Sequence, residues 1–189
     1  MTTTILRAAD RIAMPWKNGG GVTREVAVWP PEAGLDDFDW RISMAEVGEP
    51  GAFSLFPDVD RCLTVIEGCL HLTFDDETSV PLDAQSEPWD FPGDRACHGQ
   101  PIGGPVLDLN VMWRRGRFRS QVKRVLDMTW RPTGVASLLI AFAPLTIADD
   151  RVSAGTRLGP MDAWLCHDPS TPIDLVIDGP ALAIEIQAL

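Results

Sequence analysis

The sequence predicts an all-β protein, and three observations carry that expectation. Short runs rich in Val, Ile, Leu and Trp recur along the chain, each bounded by Gly, Pro or Asp. The 16 glycines and 16 prolines punctuate them and leave little uninterrupted length for helices. No segment sustains a long apolar period of 3.6 residues. Short strands at this spacing build a sandwich or a barrel.

Taken in order, "MPWKNGGGVTREVAVWP" (14–30) sets a bare glycine run before an alternating strand. No Gly-Lys-Ser/Thr ending follows, so it is not a phosphate loop of the Walker kind. Gly19, Gly20 and Gly21 form a turn or bulge that needs positive φ, or they allow a ligand close to the backbone, with Lys17 and Asn18 as donors. The two readings are compatible in a tight exposed loop whose amides help line a pocket. Trp16 beside it is either an apolar wall for that pocket or a core residue.

"WRISMAEV" (40–47) and "VLDLNVMW" (106–113) alternate, placing Arg41, Ser43 and Ala45 on one face and Asp108, Asn110 and Met112 on another. The ordinary expectation puts those polar faces in water. "RCLTVIEG" (61–68) differs, because Arg61 leads a face otherwise made of Leu63 and Val65. Such a residue is a strand-end charge in solvent or a group aimed into a barrel mouth. "LHLTF" follows, and the second half repeats the style with "SLLIAFA", "LTIA", "AWLC", "IDLVID" and "ALAIEIQ".

A chain of 189 residues with 45% apolar residues suits one globular unit or two small halves sharing a core. Its four cysteines form no CxxC pair and read as free thiols of a reducing compartment. No signal peptide is visible, and the longest apolar stretch, 135–148, is broken by Pro144 and too short for a bilayer. A cytoplasmic protein is expected. The net charge of −11 argues against nucleic acid as a general partner. The basic stretch "RRGRFRSQVKR" (114–124) reads better as a solvated connection than as an anion patch, since aromatic interleaving is nearly absent.

Residues 48–68, "GEPGAFSLFPDVDRCLTVIEG", resemble the first cupin motif, G-x5-H-x-H-x4-E-x6-G, with both glycines in register. The histidine positions hold Ser54 and Phe56, and the glutamate position holds Arg61. In the second motif Gly93 is in place, Ala96 and Gln100 replace the expected histidine and asparagine, and His98 falls two residues late. A metal site needs several N, O or S donors converging on one point. None of the usual ligands remains in register, so no metal and no cofactor are expected. Arginine instead offers a planar fork for a carboxylate or phosphate.

Three longer segments, "MPWKNGGGVTREVAVWP", "FDWRISMAEVGEPGAFSLFPDVDRCLTVIEG" and "GPVLDLNVMWRRG", are similar to signature segments of the HutD/Ves family. The resemblance implies a bicupin, two fused small β-barrel (jelly-roll-like) halves in one compact unit. The halves are then expected over 1–118, carrying the pocket, and 119–189. It also implies binding of a small carboxylate of histidine utilisation, such as formylglutamate or urocanate, in a regulatory or accessory role.

The expected site is therefore metal-free. Arg61 pairs with the carboxylate, Arg41, Lys17, Asn18, Gly19 and Gly20 complete or support the donor set, and His98, Asn110 and Trp16 line it. Glu25 either orients Arg41 or Lys17 or is solvated. Donors outnumber bases, which favours a binder over an enzyme. An isomerase or lyase with His98 as base is the alternative, and an interaction module using 114–124 is a third. The expected partner is a small anionic metabolite, with no nucleic acid and no membrane, and a homodimer is left open.

Overall fold

The computed structural model describes residues 2–149, 155–167 and 172–189. Its strands are β1 (Thr2–Leu6), β2 (Ala13–Pro15), β3 (Gly21–Trp29), β4 (Trp40–Val47), β5 (Gly51–Ala52), β6 (Val59–Glu67), β7 (Cys69–Phe74), β8 (Ser79–Asp83) and β9 (Trp89–Pro92). There follow β10 (Cys97–Pro101), β11 (Val106–Arg114), β12 (Phe118–Trp130), β13 (Ala136–Ala141), β14 (Leu145–Asp149), β15 (Thr156–Leu158), β16 (Ala163–His167) and β17 (Leu175–Ala188). Among the described residues, helical structure is confined to a 3-10 turn over Ala8–Asp10. The all-β expectation holds.

The strands divide between two units, one contiguous from Ile12 to Arg117, the other joining the segment up to Arg11 to the chain from Phe118 onward. This differs from halves over 1–118 and 119–189 at both ends, by one residue at Phe118 and by the whole of the first eleven residues. Strand β1 pairs antiparallel with β16, with Thr4 opposite Leu165 and Ile5 opposite Trp164, so the first residues belong to the later unit. Nothing local in "TTTIL" announces a partner so distant in sequence.

In the contiguous unit a six-stranded sheet, β2-β3-β4-β11-β6-β9, accompanies a four-stranded sheet, β5-β10-β7-β8. Alternation directs Ala45, Val47, Leu63 and Val65 of the larger sheet into one core with Leu70, Leu72, Phe74, Leu82 and Cys97 of the smaller. Removing such side chains from water is worth about 1.5–3 kcal/mol each. Phe74 and Phe91 meet edge to face at 5.4 Å within it.

The glycine run is the turn of the β2–β3 hairpin. Trp16 N–H donates to the Gly21 carbonyl (2.9 Å), Gly19 N–H to the Trp16 carbonyl (3.0 Å), and Gly20 N–H to Asn18 Oδ1 (3.0 Å). Gly19 has φ +72°, and a Cβ on Gly21 would sit 2.5 Å from the Glu46 carbonyl oxygen. Backbone conformation at Gly19 and close packing at Gly21 therefore account for the missing side chains at those two positions.

The second unit is a seven-stranded sheet ordered β1-β16-β13-β17-β14-β15, with β12 pairing β17. "LVID" of the first late run and the whole of "ALAIEIQ" belong to a single strand, β17, which crosses Gly179–Pro180 through a bulge between Leu126 and Met128 of β12. Its core gathers Leu139, Ile147, Leu158, Trp164 and Ile177.

Much of the basic stretch is spoken for inside the molecule. Arg114 donates to the carbonyls of Asp36, Phe38 and Pro57, Arg115 to the carboxylates of Asp60 and Asp94, and Arg117 to Asp39. These arginines tie loops of the contiguous unit to the end of β11. All four cysteines are free thiols.

Candidate functional site

Three neighbouring strands of the six-stranded sheet assemble a polar cluster on its inner face. Antiparallel register places Met112 of β11 between Arg41 of β4 and Arg61 of β6. The next inward position sets Asn110 between Ser43 and Leu63, and the next sets Asp108 between Ala45 and Val65. The polar faces of β4 and β11 are thus turned into the barrel, against the expectation that they meet water. Their opposite faces are buried as well, through Trp40, Ile42, Leu109 and Val111. With apolar residues already occupying one buried face, the polar residues fall on the other.

Arg61 is 5% exposed. Its Nη2 donates to Asn110 Oδ1 at 2.5 Å, and its Nη1 reaches the Ser54 carbonyl at 3.5 Å. Asn110 Nδ2 donates onward to Asp108 Oδ1 at 2.7 Å. A cation on one side and a carboxylate on the other fix which way the amide points. The guanidinium is flanked by the rings of Phe53, Phe91 and Phe56, at 5.0, 5.1 and 5.8 Å from its carbon. Weak hydration and a planar face let guanidinium occupy such an aromatic setting. Its stem passes under Gly93, where a Cβ would come within 3.3 Å of Arg61 Cγ and Cδ and 2.9 Å of the Val59 carbonyl oxygen.

Arg41, 6% exposed, is compensated separately. Its Nε donates to Glu25 Oε2 at 2.8 Å and its Nη1 to Ser43 Oγ at 3.2 Å. Of the two readings of Glu25, orientation of Arg41 is the one seen.

The cluster leaves two polar atoms buried without partners, Arg61 Nε and Asp108 Oδ2. Asp108 is 0% exposed. Burial raises its carboxyl to about 7, against the opposing pull of Arg61 and the Asn110 hydrogen bond. Burial likewise lowers Arg61 to about 10, with Asp108 opposing the fall, and it remains protonated at neutral pH. The nearby Cys97 thiol is pushed up to about 11 by burial, so it stays neutral.

Not every expected site residue converges on Arg61. Arg41 and Asn110 do. Trp16 packs against the edge of the same core, its Nε1 donating to Thr23 Oγ1 at 2.8 Å. Lys17, Asn18, Gly19 and Gly20 make the hairpin turn, with Lys17 and Asn18 exposed. Along β10 the alternation sends Cys97 inward and His98 outward, where it is exposed opposite Ala52 and Thr73. There it borders a cleft of about 460 Å³, together with Phe53, Leu55, Phe74 and Cys97. Phe53 is the link, facing this cleft and the Arg61 guanidinium.

Asp108 and the three phenylalanines are members of this cluster that the sequence did not offer as site candidates. The cupin register places Phe56 at a motif position, but marks it there as a missing ligand and not as an aromatic wall. A metal ion does not fit this donor set: the motif positions present a backbone carbonyl at Ser54, a ring at Phe56 and a cation at Arg61. Among the described residues, no group of three or more His, Cys, Asp or Glu side chains could hold an ion.

The family model HutD matches residues 8–183. An uncharacterised 21.2 kDa protein in the hutC 3′ region of Pseudomonas putida is 32% identical over 185 residues, covering 96% of each chain. The structure of HutD from Pseudomonas fluorescens SBW25, obtained in a formate condition, superimposes with a TM-score of 0.88 at 30% identity, covering 100% of both chains. An oxalate decarboxylase of Lactobacillus farciminis in a formate complex gives a TM-score of 0.66 at 9% identity, over 96% of this chain and 85% of that one. That last likeness is one of fold, and the fold is a bicupin.

Proposed function

The chain belongs to the HutD family, and on that premise we propose that its contiguous barrel binds a small carboxylate without a metal ion. The observation that carries the reading is Arg61, buried on the inner face with an unpartnered Nε. A guanidinium has five N–H donors, and here it meets only Asn110 and a long contact to the Ser54 carbonyl. Leaving a buried donor unpaired costs about 1–3 kcal/mol or more when it is charged. A carboxylate oxygen removes that cost, and the aromatic walls strengthen the pair by excluding water.

The relative in the hutC region of Pseudomonas putida supports an accessory or regulatory role near histidine utilisation. Formylglutamate and urocanate are the candidates this context favours. A binding role also accords with the donor-rich interior, where His98, the candidate base, does not reach. The protein is proposed to act in the cytoplasm, where such metabolites occur.

Isothermal titration with N-formylglutamate, urocanate and glutarate tests the reading, with Arg61→Ala as control. Binding of at least one carboxylate that Arg61→Ala weakens roughly thirtyfold or more is the expected outcome. Undiminished binding by the variant places the ligand elsewhere.

A further inference from the structure

The ligand-free cluster is already electrically balanced, which constrains how an anion enters. Arg41 has its counter-charge in Glu25 at 2.8 Å. Arg61 has its own in Asp108, one amide away through Asn110, with contacts of 2.5 and 2.7 Å. Other groups in that interior add no free charge: Cys97 of β10 is a neutral thiol, Ser43 a hydroxyl, and Leu63, Val65, Leu72 and Phe91 are apolar. A bound carboxylate would leave two anions around Arg61 in a buried space. Like charges confined together disfavour double ionisation.

We propose that Asp108 is the resident counter-ion of Arg61 and that a ligand carboxylate takes over this role as Asp108 Oδ2 accepts a proton from solvent. Geometry makes the exchange feasible. Oδ2 is the buried oxygen without a partner, so a proton there displaces no hydrogen bond. Oδ1 continues to accept from Asn110, so the Asn110–Arg61 contact survives. The raised carboxyl, about 7, means the proton is available near neutrality. The inference rests on the carboxylate reading above.

Binding is then coupled to proton uptake. Above about pH 7 the free protein has lost the proton and must regain it, so affinity falls up to about tenfold per pH unit. Below that pH the proton is already present and affinity is flat. Asp108→Asn supplies a permanently neutral side chain of the same shape. It should bind at about pH 8.5 as wild type binds at about pH 6, with no pH dependence.

The test is titration calorimetry with N-formylglutamate and, separately, formate, in buffers of differing ionisation enthalpy. Wild type should take up close to one proton per ligand bound at about pH 8, and Asp108→Asn none. Circular dichroism controls for folding, and the wild-type uptake stands even if the variant fails to fold. Carboxylate binding without proton exchange, or exchange that persists in Asp108→Asn, overturns this inference and leaves the Arg61 site intact. No binding of either probe at any pH overturns the carboxylate reading and this inference with it.

Discussion

Asp108→Asn should flatten the dependence of stability on pH in the ligand-free protein. The carboxyl ordinarily titrates near 3.8, and burial holds it at about 7 in the folded chain. Between those values the native state keeps a proton that the unfolded state has released. The native state therefore binds more protons, and stability falls as pH rises through the window. Below it both states are protonated; above it both are ionised and the loss is complete. Each pH unit in between removes about 1.4 kcal/mol, so the whole window is worth about 4 kcal/mol. The asparagine neither titrates nor loses the acceptor that Asn110 uses. Urea unfolding from about pH 4 to about pH 8 would measure both proteins. The stability of wild type minus that of the variant should fall by about 4 kcal/mol and level off near pH 7. Other titrating groups cancel in the difference. Parallel curves would show that Asp108 ionises as it does in water, and the dry, counter-ion picture of the cluster would be wrong.

Three further outcomes are expected. Arg61→Ala should weaken carboxylate binding by about 2–5 kcal/mol, roughly thirtyfold or more, and Arg61→Lys should restore only part of it because the planar fork is lost; calorimetry reads both. Gly21→Ala should destabilise by about 1–3 kcal/mol, because its Cβ would lie 2.5 Å from the Glu46 carbonyl oxygen and 3.0 Å from the Trp16 ring; a thermal melt unchanged from wild type would mean the hairpin yields freely. Elemental analysis of chelator-free protein should find no stoichiometric Zn, Mn, Fe or Ni, and EDTA should leave carboxylate binding unaltered. One equivalent of metal whose removal abolishes binding would contradict the donor set around Arg61.

Arg61 was legible because a charge leading an apolar strand face is conspicuous, and because the cupin spacing put it at a ligand position. Asn110 and Arg41 were legible as members of polar faces. That those faces point inward was not, since alternation separates two faces without saying which is dry. Here both are buried, and side-chain polarity cannot decide between them. Asp108 stayed hidden for that reason: a carboxylate in an alternating strand reads as solvated until its neighbours across two strands are known. His98 failed on parity, one residue from Cys97 and therefore on the opposite face. The glycine turn was read correctly as a turn, but its extension into the pocket was a different matter. Gly20 N–H is spent on Asn18, and its carbonyl accepts from Gly48 and Glu49. Lastly, "IDLVID" and "ALAIEIQ" looked separate because Gly179–Pro180 is a strong local punctuation mark, whereas pairing along β12 carries the strand straight through it.

The pairing of β1 with β16 and of β17 with β12, β13 and β14 has a consequence for synthesis. The contiguous unit has every strand in hand once Arg117 has left the ribosome. Its companion includes β1, made before that unit, and has at its centre a strand made after residue 174. Strand β1 must therefore wait unpaired while the whole contiguous unit is translated, and β12, β13 and β14 wait for the partner they share. Domains emerging from the ribosome tend to fold in order, and long-range pairings form slowly. The unit bearing Arg61 can thus reach its folded state co-translationally, while the second closes only when β1 meets β16 and β17 joins β12, β13 and β14.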